Sequence, residues 1–317
     1  MPEERVKLDF PSGEPQRLDR FLAAALGQLS RSFVQKLIAE GLVEVNGKRA
    51  KASRTLHGGE RIEAIIPAPE PIEAEPEDIS LSILFEDEHL IAIDKPAGMV
   101  VHPAPGHHTG TLVNALLAHC GDLSGIGGAL RPGIVHRLDS GTTGVIVAAK
   151  NDRSHQGLSR QFKDRTVEKT YKALAYGCPR SDEGEIEVPI GRDRRNRKKI
   201  STATDRPREA LTRFRIEEDF GDLSYLTLRL MTGRTHQVRV HLAHIGHPVL
   251  GDSLYAGARW RGITDPQRQK LAKDFGRPAL HSFSLRFRHP LSGEDIRLEA
   301  PLPDDIAGFL NALRKIP

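Results

Sequence analysis

Apolar and polar positions recur with two different periods along the 317 residues, and the changes of period mark out the expected elements. From Arg17 onward, Leu18, Phe21, Leu22, Ala25 and Leu26 repeat at helical spacing, which predicts an amphipathic helix ended by Gly27. Ser30 is a good N-cap for a second helix that turns Val34, Leu37 and Ile38 inward, keeps Arg31 and Lys36 outside and stops at Gly41. Val43 and Val45 then alternate into Asn46-Gly47, a strong hairpin signal, and Ile62, Ala64 and Ile66 alternate again as a later strand. Two helices followed by a small sheet predict a compact α+β module over residues 15–66.

Residues 67–80 carry Pro67, Pro69, Pro71 and Pro76 within an acidic run, so they are expected to be a solvated linker without regular structure. The remainder, 81–317, is expected to form a second domain. Its strand-like segments are 90–94, 144–150, 171–176, 223–230, 282–288 and 294–299, and its helical segments are 111–119, 154–163, 235–245 and 304–314. They do not follow a strict βαβ order. The fold class expected is therefore α+β, with a mixed, mostly antiparallel central sheet flanked by helices.

Composition agrees with two globular domains: 38% of residues are hydrophobic and 28% charged. No apolar run approaches the roughly 18 residues of a membrane span, and MPEERVKLDF lacks the apolar core of a secretory signal, so a cytoplasmic protein is expected. Cys120 and Cys178 cannot make a disulfide framework and lack the spacing of a thiolate metal site. The net charge of +4 says less than its distribution. Residues 192–199 hold six basic side chains against Asp193, a run suited to gripping phosphates. Of His236, His241, His244 and His247, only His241 and His244 share a helical face, and no HExxH, CxxC, Walker loop or GxGxxG occurs, so neither metal nor nucleotide cofactor is expected.

The densest cluster of unusual residues is GIVHRLDSGTTG, 133–144, directly before the apolar run VIVAA. Asp139, where a loop meets a strand, is the first candidate for a reactive group; the alternative is that it only caps the turn. Asp139-Ser140-Gly141 also matches an aspartic protease motif, but such enzymes need two carboxylates and no second copy is present. In LMTGRTHQVRVHL, Arg234 lies where a strand ends and a helix begins. A guanidinium there suits bidentate pairing with Asp139; the alternative is a surface arginine.

These residues coincide with known motifs. RPGIVHRLDSGTTGVIVAAKN resembles the second motif of the RluA-type pseudouridine synthases, EKTYKALAYG their tyrosine motif, and LMTGRTHQVRVHLAHIGHPVLGDSLYAG their later arginine motif. The N-terminal module resembles an S4 RNA-binding domain. The S4 module, DKPAGMVVHPAPGHHTGTLVNALL and the paired Thr142-Thr143 are similar to the ribosomal large-subunit pseudouridine synthase D subtype; many relatives have Ser where Thr143 stands, which keeps a hydroxyl.

The resemblance implies an isomerase that converts uridine to pseudouridine in RNA, most of all large-subunit ribosomal RNA, without cofactor or metal. It assigns Asp139 as the essential aspartate, Tyr171 as the aromatic residue against the target base, Arg234 as the partner of the aspartate and Arg137 as an RNA contact. In the S4-like module Arg31, Lys36, Lys48 and Arg49 are the expected RNA contacts, and a monomer is expected. The competing expectation is a non-catalytic RNA-binding or ribosome-assembly factor, which would need none of Asp139, Tyr171 or Arg234.

Overall fold

The computed structural model describes residues 4–11, 13–26, 29, 31–67, 74–103, 109–120, 123, 133–194, 196 and 199–316. The chain divides into two units, Met1–Pro71 and Ile72–Pro317.

In the first unit the order is β1 (Glu4–Asp9), β2 (Gln16–Arg17), α1 (Leu18–Ala25), α2 (Arg31–Ala39), β3 (Val43–Val45), β4 (Lys48–Arg49), β5 (Thr55–Leu56) and β6 (Arg61–Ile66). The helical-period residues Leu18, Leu22, Val34, Leu37 and Ile38 share one core with Val43, Val45, Ile62 and Ala64, as their spacing predicts. Asn46 and Gly47 both take positive φ, 51° and 72°, which joins β3 to β4 by a two-residue hairpin. Gly27 and Ser30, expected to end and begin the helices, lie outside the described residues. β1 was not foreseen: only Val6 and Leu8 alternate within it, and its partner β6, paired from Glu4↔Ile66 to Asp9↔Arg61, is remote in sequence.

One buried carboxylate ties α1 to α2. Asp19 accepts hydrogen bonds from Arg17 (3.0 and 3.1 Å), Arg31 (3.1 and 2.8 Å) and Gln35 (2.6 Å), and Arg17 with these partners holds it well below the usual carboxylate range despite burial.

The second unit contains β7 (Ile83–Glu86), β8 (Leu90–Lys95), α3 (Leu112–Cys120), β9 (Thr143–Ala149), α4 (Asp152–Lys163), β10 (Glu168–Tyr176), β11 (Glu183–Glu187), β12 (Gly191–Arg192) and β13 (Ile200–Ser201). It continues with β14 (Leu211–Asp219), β15 (Leu223–Leu230), α5 (Gln237–His244), α6 (Pro266–Asp274), β16 (Leu280–Arg288), β17 (Asp295–Glu299) and α7 (Asp304–Leu313). Nine strands form the central sheet in the order β11-β14-β15-β10-β16-β9-β8-β7, with β17 also on β16. All its neighbours are antiparallel except β9 and β16. Mixed and mostly antiparallel is thus the observed architecture. From Val145 on, β9 is apolar because both sheet faces are covered there: Ile146 and Ala148 join one core, Val145, Val147 and Ala149 the other.

The acidic stretch read as a solvated linker is only partly one. Residues 68–73 lie outside the described set, and 74–82 form neither helix nor strand. Yet Ala74 is buried, Asn114 Nδ2 donates to the Glu75 carbonyl (2.7 Å), and the Glu77 carboxylate accepts the Gly110 N–H (3.0 Å). One backbone carbonyl and one acid of this stretch satisfy donors in and just before α3, which composition cannot reveal. Among the described residues no helix is long and apolar enough to cross a membrane.

The parallel contact is short, His281↔Thr143 and Ser282↔Gly144, and it lies where β9 begins. Gly144 sits there at φ +105°, and a Cβ on it would fall 2.2 Å from the Ser282 carbonyl oxygen. Gly144→Ala is expected to destabilise the second unit by about 3 kcal/mol, from strain and overlap together. Chemical denaturation monitored by circular dichroism reads this out; a change below about 1 kcal/mol would mean the two strands can part freely there.

Candidate active site

The turn that carries Asp139 is held from beneath by side chains of three other segments. Thr142 N–H donates to the Asp139 carbonyl (3.0 Å), closing the turn. Lys95, fully buried at the end of β8, donates from Nζ to the carbonyls of Pro96 (2.7 Å), Met99 (2.9 Å) and Ser140 (3.2 Å). Burial pushes this ammonium down to about 8, against the pull of Asp139. Arg277 donates to the Gly141 carbonyl (3.0 Å) while gripping Asp305 in bidentate fashion (2.6 and 2.7 Å). His281 uses Nε2–H on the Ala300 carbonyl (3.2 Å), so its Nδ1 accepts the Thr143 hydroxyl (2.8 Å).

The strand order β10-β16-β9 brings Tyr171 to this turn. Tyr171 pairs with Ser282 of β16, beside a register shift between Thr170 and Tyr171, and Ser282 pairs in turn with Gly144. Burial pushes the Tyr171 phenol up to about 12; a Ser282 hydrogen bond opposes this and the charge of Asp139 adds to it. At neutral pH the group facing the site is therefore an uncharged phenol.

Asp139 does face a guanidinium, but it is the wrong arginine for the sequence expectation. Arg239 Nη1 donates to Asp139 Oδ2 at 3.0 Å. The same guanidinium holds Asp252 in bidentate fashion, Nε to Oδ2 at 2.6 Å and Nη2 to Oδ1 at 2.8 Å. Burial disfavours the Arg239 charge, yet Asp252 and then Asp139 outweigh it, so its pKa lies above that of an ordinary arginine. Arg234 instead donates from Nε to the Glu209 carbonyl at 3.2 Å and stands at the pocket wall. The reason is where the helix begins. α5 starts at Gln237, after His236 in the left-handed region (φ 56°), and its first turn carries Arg239 inward; Arg234 stays on the preceding loop. Gln237 fixes that loop, accepting from Thr232 Oγ1 (2.7 Å) and Arg234 N–H (3.1 Å) and donating to the Leu211 carbonyl and Thr212 Oγ1 (3.0 and 2.9 Å).

Sequence reasoning also passed over His236, Tyr255 and Asp252 as members of the site. His236 Nε2 lies 3.6 Å from Asp139 Oδ2, and its Nδ1 is 2.8 Å from Tyr255 Oη. Burial lowers the His236 pKa more than Asp139 raises it, so the imidazole is neutral at pH 7 and Arg239 is the cation on the aspartate. Tyr255 Oη accepts the Ile200 N–H (2.9 Å), and its ring lies 5.0 Å from the Arg239 guanidinium. One signal was available: Arg239 lies between Val238 and Val240, on a helix whose residues 237–242 are all buried, and a buried cation needs an acid.

Asp139, Tyr171, Arg137, Arg234, His236 and Arg239 all line one cavity of about 410 Å³, a size suited to a small-molecule moiety. The Asp139 carboxylate is bonded through Oδ2, and Oδ1 has no partner among the described residues. An aspartate that only capped its turn would bond the turn amides with its side chain; here the backbone carbonyl does that. On the far wall His136 accepts the Val147 N–H (3.0 Å) and stacks on Phe162 (4.5 Å between centroids), and burial pushes it down to about 3.

The other expected contacts divide by what already binds them. Arg31 is committed to Asp19, while Lys36 has only an exposed contact with Glu40 at 3.7 Å. Lys48 and Arg49 are exposed on β4. Of the basic run 192–199, residues 195, 197 and 198 lie outside the described set; Arg194 pairs with Asp205 (2.7 Å), and Lys199 lies 5.9 Å from the centre of the Tyr255 ring. His241, considered for metal, is buried with Nε2 at the Val188 carbonyl (3.0 Å).

Comparison with known proteins gives the family of both units. Residues 89–244 match the RNA pseudouridylate synthase family and residues 16–62 the S4 domain. A Bacillus subtilis protein named as an uncharacterized RNA pseudouridine synthase is 42% identical over 98% of this chain and 99% of its own. A Zymomonas mobilis protein named ribosomal large subunit pseudouridine synthase D is 45% identical over 92% of this chain and 91% of its own. Among solved structures, human RNA pseudouridylate synthase domain containing 4 superposes with a TM-score of 0.56 at 25% identity, covering 74% of this chain and 93% of that one. An S4 match alone would also fit a non-catalytic RNA-binding factor; matches that run through the second unit do not.

Arg239→Ala strands Asp252 as a buried unpaired charge, so it is expected to cost about 3–5 kcal/mol of stability. Arg234→Ala is expected to cost less than about 1 kcal/mol. Denaturant titration of both variants checks the assignment, and equal losses would contradict it.

Proposed function

The chain belongs to the RNA pseudouridylate synthase family and is an RNA pseudouridine synthase with an S4 domain, and we propose that Asp139 is its catalytic carboxylate and large-subunit ribosomal RNA, met in the cytoplasm, its substrate. The observation that carries the residue assignment is the state of Asp139: one carboxylate oxygen is fixed by Arg239, and the other has no partner among the described residues, in a side chain that lines a cavity with Tyr171. Support for the ribosomal substrate is the name of the Zymomonas mobilis relative.

The reaction breaks the N1–C1′ bond of uridine and joins C5 to C1′; C5 loses a proton and N1 gains one, so the product is an isomer. The freed uracil must turn without leaving, which asks for a closed pocket. A uridine stacked in RNA cannot reach Asp139, so the nucleotide is flipped out at a cost of roughly a few kcal/mol. Stacking on Tyr171 offsets part of it, at about 1–3 kcal/mol per base. Attack by the carboxylate on C1′ and removal of a sugar proton both use a carboxylate oxygen against the ribose, and Oδ1 is the oxygen we assign to it. Because the Tyr171 phenol is raised to about 12, it serves as a wall for the base in its neutral form. Arg239 holds the carboxylate, Asp252 holds Arg239, and Arg137 and Arg234 meet the RNA strand at the pocket wall. In the S4 domain Lys36, Lys48 and Arg49 contact phosphates, with Arg31 acting mainly through Asp19.

Incubating the purified protein with unmodified large-subunit rRNA and mapping pseudouridine by sequencing tests the reading. Asp139→Asn is expected to lower the rate by about 10³-fold or more while RNA binding is retained. Ready conversion by that variant removes Asp139 from the role, and conversion confined to another RNA class removes the ribosomal substrate. Lys36→Glu is expected to make the logarithmic salt dependence of rRNA binding shallower by about 0.9. An unchanged slope would leave Lys36 as a solvated helix position.

A further inference from the structure

A second feature of the same cavity has no use in the steps above. Strand periodicity puts Lys169 and Tyr171 on one face of β10, and both side chains line the pocket. Lys169 is only 8% exposed. Among the described residues no carboxylate is within ion-pair distance of it, and its charged neighbour is another cation, Arg165. A buried ammonium without a counter-charge is costly, so an anion brought into the cavity from outside the chain would be stabilised there.

The neighbouring chain adds to the same demand. Lys163, in the last turn of α4, and Arg165, held in the left-handed region at φ 61°, line the cavity too. A non-glycine residue in that conformation is strained, and such strain is typical of ligand-holding sites. Among the described residues the acid that approaches Arg165 is the Glu209 carboxylate, 86% exposed and 3.7 Å away, a contact weak enough for a ligand to displace.

We propose that Lys169, with Lys163 and Arg165, forms a phosphate subsite that takes one of the two phosphodiesters flanking the flipped uridine. The proposal rests on the Asp139 reading, since a base on Tyr171 with its ribose at Asp139 necessarily carries both flanking phosphates to the cavity wall. Burial, and then Arg165, push Lys169 below an ordinary lysine, and a phosphate is the partner that reverses both effects.

The test uses the full-length protein and a short synthetic RNA bearing a uridine mapped as above. It is compared with copies whose 5′ or 3′ flanking phosphate is replaced by an uncharged methylphosphonate. One replacement is expected to raise KM by about tenfold with the wild-type protein, the effect of losing a hydrogen-bonded charge. Lys169→Gln should raise KM by a similar factor on the all-phosphate RNA and add nothing on that methylphosphonate RNA, while Lys169→Arg restores most of the affinity. Should Lys169→Gln fail to fold, the exposed pair Lys163→Gln and Arg165→Gln is read against the same RNAs. Unchanged KM in a folded variant, or losses that add, overturns the subsite while the Asp139 reading stands. Asp139→Asn protein that still converts the mapped uridine at the wild-type rate overturns the Asp139 reading, and the subsite falls with it.

Discussion

The candidate active site depends on one guanidinium that faces two carboxylates. Arg239 is gripped on one side by Asp252 and on the other touches a single oxygen of Asp139. The division of labour follows from burial. Asp252 has no solvent exposure in its side chain and anchors the arginine, whereas the Asp139 side chain keeps 19% exposure at the cavity and, among the described residues, leaves one oxygen without a partner. A site with one acid would either bind its arginine too fully to react or leave a charge uncompensated. With two, the structural demand and the chemical one fall on different residues.

The sheet supplies the remaining geometry. Antiparallel pairing fills most of it, but β9 meets β16 in parallel, and the Asp139 turn lies just before that junction. Gly144 lets the backbones approach there, and Ser282 then lies between the start of β9 and Tyr171 on β10. The turn itself has few side chains of its own to hold it, so Lys95, Arg277 and His281 do so from β8, the loop before β16 and β16. Loop position alone would leave the carboxylate mobile; three anchors from the surrounding unit make its placement a property of the fold.

Charge has two uses across the chain, and exposure separates them. Arg31, Arg239 and Arg277 are occupied by carboxylates and stabilise structure. Lys36, Lys48 and Arg49 in the first unit, and Lys163 and Lys169 around the cavity of the second, lack such strong partners and suit a polyanion. A net charge of +4 hides this contrast, because the committed cations count the same as the available ones.

Much of the fold was legible in the sequence because periodicity reports burial directly. Leu18 to Leu26 and Val34 to Ile38 gave the two helices of the first unit, and the unbroken run Val145–Ala149 gave a strand, which the structure shows covered on both faces. Asp139 and Tyr171 could be picked out by their motifs, and the arginine motif was correctly located as a segment. What was not legible were contacts between distant residues. β1 needed β6, Asp19 needed Arg31, and the linker acids Glu75 and Glu77 needed the start of α3. Arg234 and Arg239 both lie in GRTHQVR, and the valines on either side of Arg239 hint at its burial without saying that it reaches a residue a hundred positions earlier; the helix starting at Gln237 decides it by turning only the second inward. The sequence determined which groups are available and which faces are buried, since those follow from local chemistry and period. Which charge meets which was decided only when the packed elements fixed their distances, because an ion pair depends on separation in space and not along the chain.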